Sequence, residues 1–219
     1  MNIGSGTYWL SPARGKIARV QHHAALPWRQ IGSFMHALRQ QDGIGARALE
    51  ITILTAARTG EVIGARWPEI EMSARLWTAP GERMKAGREH RVPLSEAAMN
   101  VLAELAKLRT AEDGFVFLGA RRAKPLSNMT MAAVLERMGR NDLTVHGFRS
   151  AFDWCAESTN YPREVAEAAL ANMLADKTEA AYRRGDLFEK RRRLMEDWAG
   201  FCAQPNRAGE VVMLRRGAH

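Results

Sequence analysis

Glu69-Ile70-Glu71-Met72, Arg75-Leu76-Trp77-Thr78-Ala79 and His90-Arg91-Val92-Pro93-Leu94 form the clearest β region of this chain. They are short, and each carries at least one β-branched or aromatic residue. The breaks between them, Ser73-Ala74 and the segment from Pro80-Gly81 to Gly87-Arg88, carry turn chemistry. The reading is a small three-stranded antiparallel sheet. Outward from it nearly all apolar residues recur at intervals of three and four, so the fold class is α+β, mainly α-helical.

Upstream, one helix is expected from Pro27 through Trp28, Ile31, Phe34, Met35 and Leu38 to the stop at Asp42-Gly43. A second, from Ala46 through Leu49, Ile53 and Leu54 to about Ala57, is apolar enough to lie at the centre of the fold. Downstream, Ser95 is placed to cap a helix running through Leu105 and Leu108. A strand is expected at Phe115-Val116-Phe117-Leu118, and Ser127 is placed to cap the helix through Met138. Thr144-Val145-His146-Gly147-Phe148-Arg149 opens a helix expected to reach about Glu157, and Pro162 starts another ending at Ala171-Asn172. A short helix bounded by Asp176 and Gly185 carries Tyr182, and a long amphipathic helix runs from Leu187 to Phe201.

The 219 residues suffice for a sizeable core, and 32 Lys+Arg against 24 Asp+Glu give a net charge of +8. That excess points to a polyanionic partner, nucleic acid first and an anionic membrane surface as its competitor. No apolar run approaches a membrane span, and the N-terminus lacks a signal-peptide layout, so a cytoplasmic location is expected. The two cysteines, Cys155 and Cys202, are spaced for neither a disulfide framework nor zinc, and the six histidines are scattered. No Walker-type glycine loop is present, so neither a metal nor a nucleotide cofactor is expected.

The chemistry-bearing residues are of one kind. Arg58 stands where a buried helix meets a turn, a good position for a two-pronged anion clamp and equally for a surface pair with Glu61. Lys85 lies in the cationic loop Arg83-Met84-Lys85-Ala86-Gly87-Arg88, able to fold over a ligand. His146 and Arg149 share one face of a helix start, where the dipole favours anions. Tyr182 is flanked by Arg183 and Arg184, which can stabilise a phenolate. Two arginines, a lysine, a histidine and a tyrosine suit phosphoryl transfer without a metal: charge stabilisation, an in-line nucleophile and a proton donor for the leaving alkoxide.

In this order, Ala57-Arg58-Thr59-Gly60-Glu61, Lys85 on a hairpin, His146-Gly147-Phe148-Arg149 and Ala180-Ala181-Tyr182-Arg183-Arg184-Gly185-Asp186 resemble the catalytic domain of the tyrosine recombinases, above all phage and prophage integrases. The resemblance implies that Arg58 and Arg149 clamp the scissile phosphate and that Glu61 buttresses Arg58. It makes Lys85 the general acid, His146 an assistant, and Tyr182 the group that forms a 3′-phosphotyrosyl link. Arg83, Arg88, Arg183 and Arg184 are then DNA contacts. The implied partner is double-stranded attachment-site DNA in a bacterial cytoplasm, with self-association on DNA. The Leu187 to Phe201 helix is available for that exchange, but equally for packing within its own chain or for contact with DNA.

Two departures stand out. Asn172 occupies the place where the family carries histidine or tryptophan. Phe152-Asp153-Trp154 looks one residue short, which would rotate the remainder of its helix by about 100°. The expected division is an arm or remnant of a core-binding domain at 1–25, a catalytic domain at 26–203 and a tail at 204–219. Alternatives are a DNA-binding remnant that no longer cleaves, a type IB topoisomerase, and a basic interaction module.

Overall fold

The computed structural model describes residues 25–121, 123–154, 158–172 and 187–205. Its architecture is helical around one small sheet. Helix α1 (Ile31–Arg39) buries Ile31, Phe34, Met35 and Leu38, and α2 (Ile44–Thr55) is covered on almost every side. A buried carboxylate joins the two: Glu50, 2% exposed, takes Arg39 at 2.8 Å and Arg47 at 2.7 Å. Arg47 also donates to the carbonyls of Leu38, Arg39 and Gln41, which satisfies the open C-terminal end of α1.

α2 stops at Ala56, whose φ of 51° is left-handed and costly for a residue with a Cβ. The chain re-enters helix at α3 (Thr59–Ile63). Strands β1 (Ile70–Glu71), β2 (Leu76–Ala79) and β3 (His90–Pro93) then form one antiparallel sheet in sequence order, with Ile70 opposite Trp77 and Ala79 opposite His90. The expected sheet is present with shorter strands. Trp77 is 2% exposed and anchors β2, its indole N–H donating to Glu69 at 3.1 Å.

Helix α4 (Glu96–Ala106) starts as expected at Ser95, whose hydroxyl accepts from the Ala98 N–H at 3.3 Å. Two local expectations are corrected. Phe115 to Leu118 forms isolated bridges, Arg66 to Phe115 and Leu118 to Pro125, because each finds only a single-residue partner. Ser127 does not cap α5 (Thr130–Arg137): its hydroxyl accepts from the Met129 N–H and makes the turn before the helix. The helix opened by Thr144 is present, with 3-10 geometry over His146–Asp153. Helix α6 (Arg163–Ala169) starts after Pro162.

The last helix, α7 (Phe188–Ala203), packs within its own chain against α1, α2, α4, α6 and β3. Leu194, Met195, Trp198, Ala199 and Cys202 are buried, and each large one contributes about 2 kcal/mol of gross apolar burial. The Trp198 indole donates to the Ile53 carbonyl at 2.8 Å, fixing α7 to the central helix. Phe152, Trp154 and Phe201 surround that indole with centroid separations of 5.3, 5.5 and 6.0 Å. Arg191, 1% exposed, donates to the Arg91 carbonyl and ties α7 to β3. Of the placements the sequence left open, the structure has the one within the chain. No helix among the described residues is long and apolar enough to cross a membrane.

Candidate active site

Arg58 stands at the N-terminus of α3, and the local fold commits its charge. Glu61, one turn on and 4% exposed, accepts from the Arg58 backbone N–H at 2.9 Å and from its guanidinium at 2.9 Å. A buried carboxylate held from two directions fixes the fork of Arg58 and leaves Nη2 facing outward, 3.4 Å from Asn172 Oδ1.

Arg149 reaches the same oxygen from the 3-10 helix. Its Nη1 donates to the Ala56 carbonyl, and its Nη2 donates to the Leu170 carbonyl at 2.7 Å and to Asn172 Oδ1 at 3.5 Å. Both carbonyls lie beside left-handed alanines: Ala56 itself, and Ala171 at φ 50° next to Leu170. The strained turns therefore aim acceptors that hold a guanidinium in place. Burial first, and then the Arg58 charge, push the Arg149 guanidinium down to about 10, with Glu61 partly offsetting them. Two cations held together at that cost form a site for an anion.

Asn172 completes the cluster. Its Nδ2 donates to Glu167 at 2.9 Å while its Oδ1 faces the two arginines. The structure thus brings together Arg58, Glu61, Arg149 and Asn172. His146 is exposed at the start of the 3-10 helix, three residues before Arg149 and so on the same face of a three-residue turn. Lys85 and Arg88 are exposed on the β2–β3 loop, whose base is anchored by Met84, 7% exposed. Tyr182, Arg183 and Arg184 lie outside the described residues.

Arg83, expected as a DNA contact, is engaged within the chain. Its guanidinium grips both oxygens of Glu69, one at 2.8 Å, and also donates to the Gly64 carbonyl. A fork committed to a carboxylate and a carbonyl fastens the loop to the body. One residue near the site escaped sequence reasoning. His90, at the start of β3, is pushed down to about 4 by burial and by Arg191, while Glu61 and a hydrogen bond with the Ala169 backbone oppose this and Arg58 reinforces it. It therefore stands within the field of the Arg58–Glu61 pair, and its only sequence signal was its place just after the Lys85 loop. Among the described residues no three of His, Cys, Asp or Glu gather as metal ligands.

The chain has relatives among known proteins. Residues 25–171 match the phage integrase family. The prophage integrase IntA of Escherichia coli K12 is 35% identical over 188 residues, covering 84% of this chain and 45% of that relative. The integrase of Shigella phage Sf6 is 28% identical over 185 residues, covering 83% and 48%. The chain thus spans a little under half the length of these relatives. Among solved structures, the integrase of mycobacterium phage Brujita superposes with a TM-score of 0.59 at 15% identity, covering 85% of this chain and 61% of that one. The Tn1549 transposon integrase, solved in complex with transposon right-end DNA, gives 0.54 at 14% identity, covering 80% and 66%. These two likenesses establish the fold: mainly helical with a three-stranded sheet. With the family match running through two thirds of its residues, this chain belongs to the phage integrase family.

Proposed function

We propose that the chain is the catalytic unit of a site-specific DNA recombinase that cuts and rejoins DNA without a metal or a nucleotide. The observation that carries this is the convergence of Arg58 and Arg149 on one oxygen, with buried Glu61 locking the first arginine. In this reading the oxygen's place is taken by a scissile phosphate, whose non-bridging oxygens receive both guanidiniums. The Tyr182 phenolate attacks phosphorus, the bond to the 5′ oxygen breaks, and that oxygen leaves with a proton from Lys85. The phosphoester bond is exchanged rather than hydrolysed, so the reverse attack by a 5′ hydroxyl rejoins a strand. His146 helps hold the phosphate, and Arg88, Arg183 and Arg184 hold the flanking backbone.

The partner is double-stranded DNA at attachment sites, and the setting is the bacterial cytoplasm, at the nucleoid. Self-association on DNA belongs to the same proposal. Because the apolar face of α7 is occupied within the chain, assembly must use other surfaces or displace that helix. A second reading, a DNA-binding derivative with weak cleavage, is favoured by Asn172, which offers the arginines a neutral acceptor where the family resemblance implies histidine.

The test is covalent trapping on a nicked duplex that loses its leaving strand. A denaturation-resistant adduct mapped to Tyr182, and abolished by Tyr182→Phe and Arg58→Ala, supports the recombinase reading. Salt-sensitive DNA binding with no adduct supports the second.

A further inference from the structure

An amide has its two donors at one end and its acceptor at the other, so a neighbour that takes one end decides what the other presents. At Asn172 the donor end is spent on Glu167, at 2.9 Å, and the acceptor end therefore stands 3.4 and 3.5 Å from the guanidiniums of Arg58 and Arg149. The backbone reinforces this, since the Asn172 N–H donates to the Glu167 carbonyl at 3.0 Å. Taking the phosphate reading of the site as its premise, we propose that Glu167 is a positioning residue that sets the polarity of the anion site and restrains anion binding through Asn172.

A phosphate that takes both arginines displaces Oδ1 and meets it as a second acceptor. The amide accommodates the phosphate by a half-turn that points Nδ2 at it. That half-turn brings Oδ1 against the Glu167 carboxylate, two acceptors with no proton between them, and forfeits a charge-assisted hydrogen bond. Glu167 also has the exposed Arg163 on the same helix, its Nε 3.6 Å from the other carboxylate oxygen. A glutamine at 167 removes the conflict, because its own NH2 can donate to the turned Oδ1.

The test is titration of the whole chain with inorganic phosphate, in a cycle of Glu167→Gln and Asn172→Ala. Glu167→Gln should tighten phosphate binding about tenfold when Asn172 is present, and by less than about twofold in the Asn172→Ala background. The half-turn itself is read from the Asn172 side-chain amide resonances, which should shift on phosphate addition. Unchanged or weaker binding by Glu167→Gln overturns the proposal, because a purely structural hydrogen bond would be lost with no gain. An equal gain in both backgrounds also overturns it, since removal of a negative charge would then be the whole effect. Trapping on nicked DNA separates this from the function itself. The predicted phosphate cycle with no Tyr182 adduct leaves the inference standing and sinks the recombinase reading, and adducts with a flat cycle do the reverse.

Discussion

Acidification should destabilise this protein through His90, and the size of the loss can be worked out. In the folded chain His90 is held at about 4 by burial and by the charges of Arg191 and Arg58, against the opposing pull of Glu61 and the hydrogen bond with the Ala169 backbone. Unfolded, the imidazole returns to about 6.5. Between these values the unfolded chain binds a proton that the folded chain refuses. The stability contributed by the neutral ring is therefore complete above about 6.5 and is lost as pH falls towards 4. Taken to about pH 4.5 and discounted for the partial solvent access of the ring, the loss is on the order of 2 kcal/mol. For a chain of this size that is about 4–8 °C in Tm. The assay is thermal unfolding near neutral pH and near pH 4.5 for the parent and for His90→Gln, which keeps a donor for Ala169 but does not titrate. The parent should lose that many degrees more than the variant. Equal losses would refute the placement of His90 as a half-buried neutral ring in the field of the Arg58–Glu61 pair.

Asn172→His should raise the rate of Tyr182 adduct formation on nicked DNA roughly 100-fold, because a histidinium can donate to Glu167 and to phosphate at once; an unchanged rate would show that this position does not limit the reaction. Glu61→Gln leaves one hydrogen bond to Arg58 but removes the buried charge, and should cost about 2 kcal/mol in chemical denaturation. Gly32→Ala should cost about 1–3 kcal/mol, since its Cβ would meet the Gln204 carbonyl oxygen at 1.8 Å, and a variant as stable as the parent would contradict the close approach of α1 to the end of α7. Arg88→Ala should lower the salt slope of DNA binding by about one, whereas Arg83→Ala should leave the slope alone and lower Tm.

Spacing and residue type made legible in the sequence the features they determine locally. The three strands, the Ser95 cap and the density of α2 arise from short runs bounded by turn residues, a side-chain oxygen and apolar residues on most faces. Arg58 and Arg149 stood out because each is an arginine at the junction of a helix and a turn. Hidden from the sequence were effects that need a second element. Arg83 looks like a free cation until Glu69 and Gly64 are folded beside it. His90 acquires its environment from Glu61, Ala169 and Arg191, three separate parts of the chain. Ala56 and Ala171 carry no sign that they adopt the left-handed conformation usual for glycine, because the strain is maintained by the arginine their turns help to seat.

The 3-10 helix connects these observations. A 3-10 turn advances each residue by 120° rather than 100°, and by about 2.0 Å rather than 1.5 Å. Over His146–Asp153 this delivers Trp154 roughly 160° and 4 Å beyond where an α-helix would leave it. The resemblance implied a residue missing near Phe152, a loss of about 100° and 1.5 Å. Overwinding is opposite in sign to that loss and large enough to cover it. It keeps the aromatic side of the helix on the core, where Phe148 meets Phe34 at 4.7 Å and Phe152 and Trp154 meet Trp198. Arg149, on another side of the same 3-10 helix, lies within reach of Ala56, Leu170 and Asn172. A run this long in the tighter helix is unfavourable by itself, with poorer hydrogen-bond geometry and eclipsed side chains. It persists because both ends of the contact are fixed, by the indole of Trp198 on one side and by the carbonyl anchors of Arg149 on the other. Through these two attachments the 3-10 segment presents its arginine to the same anion site as Arg58.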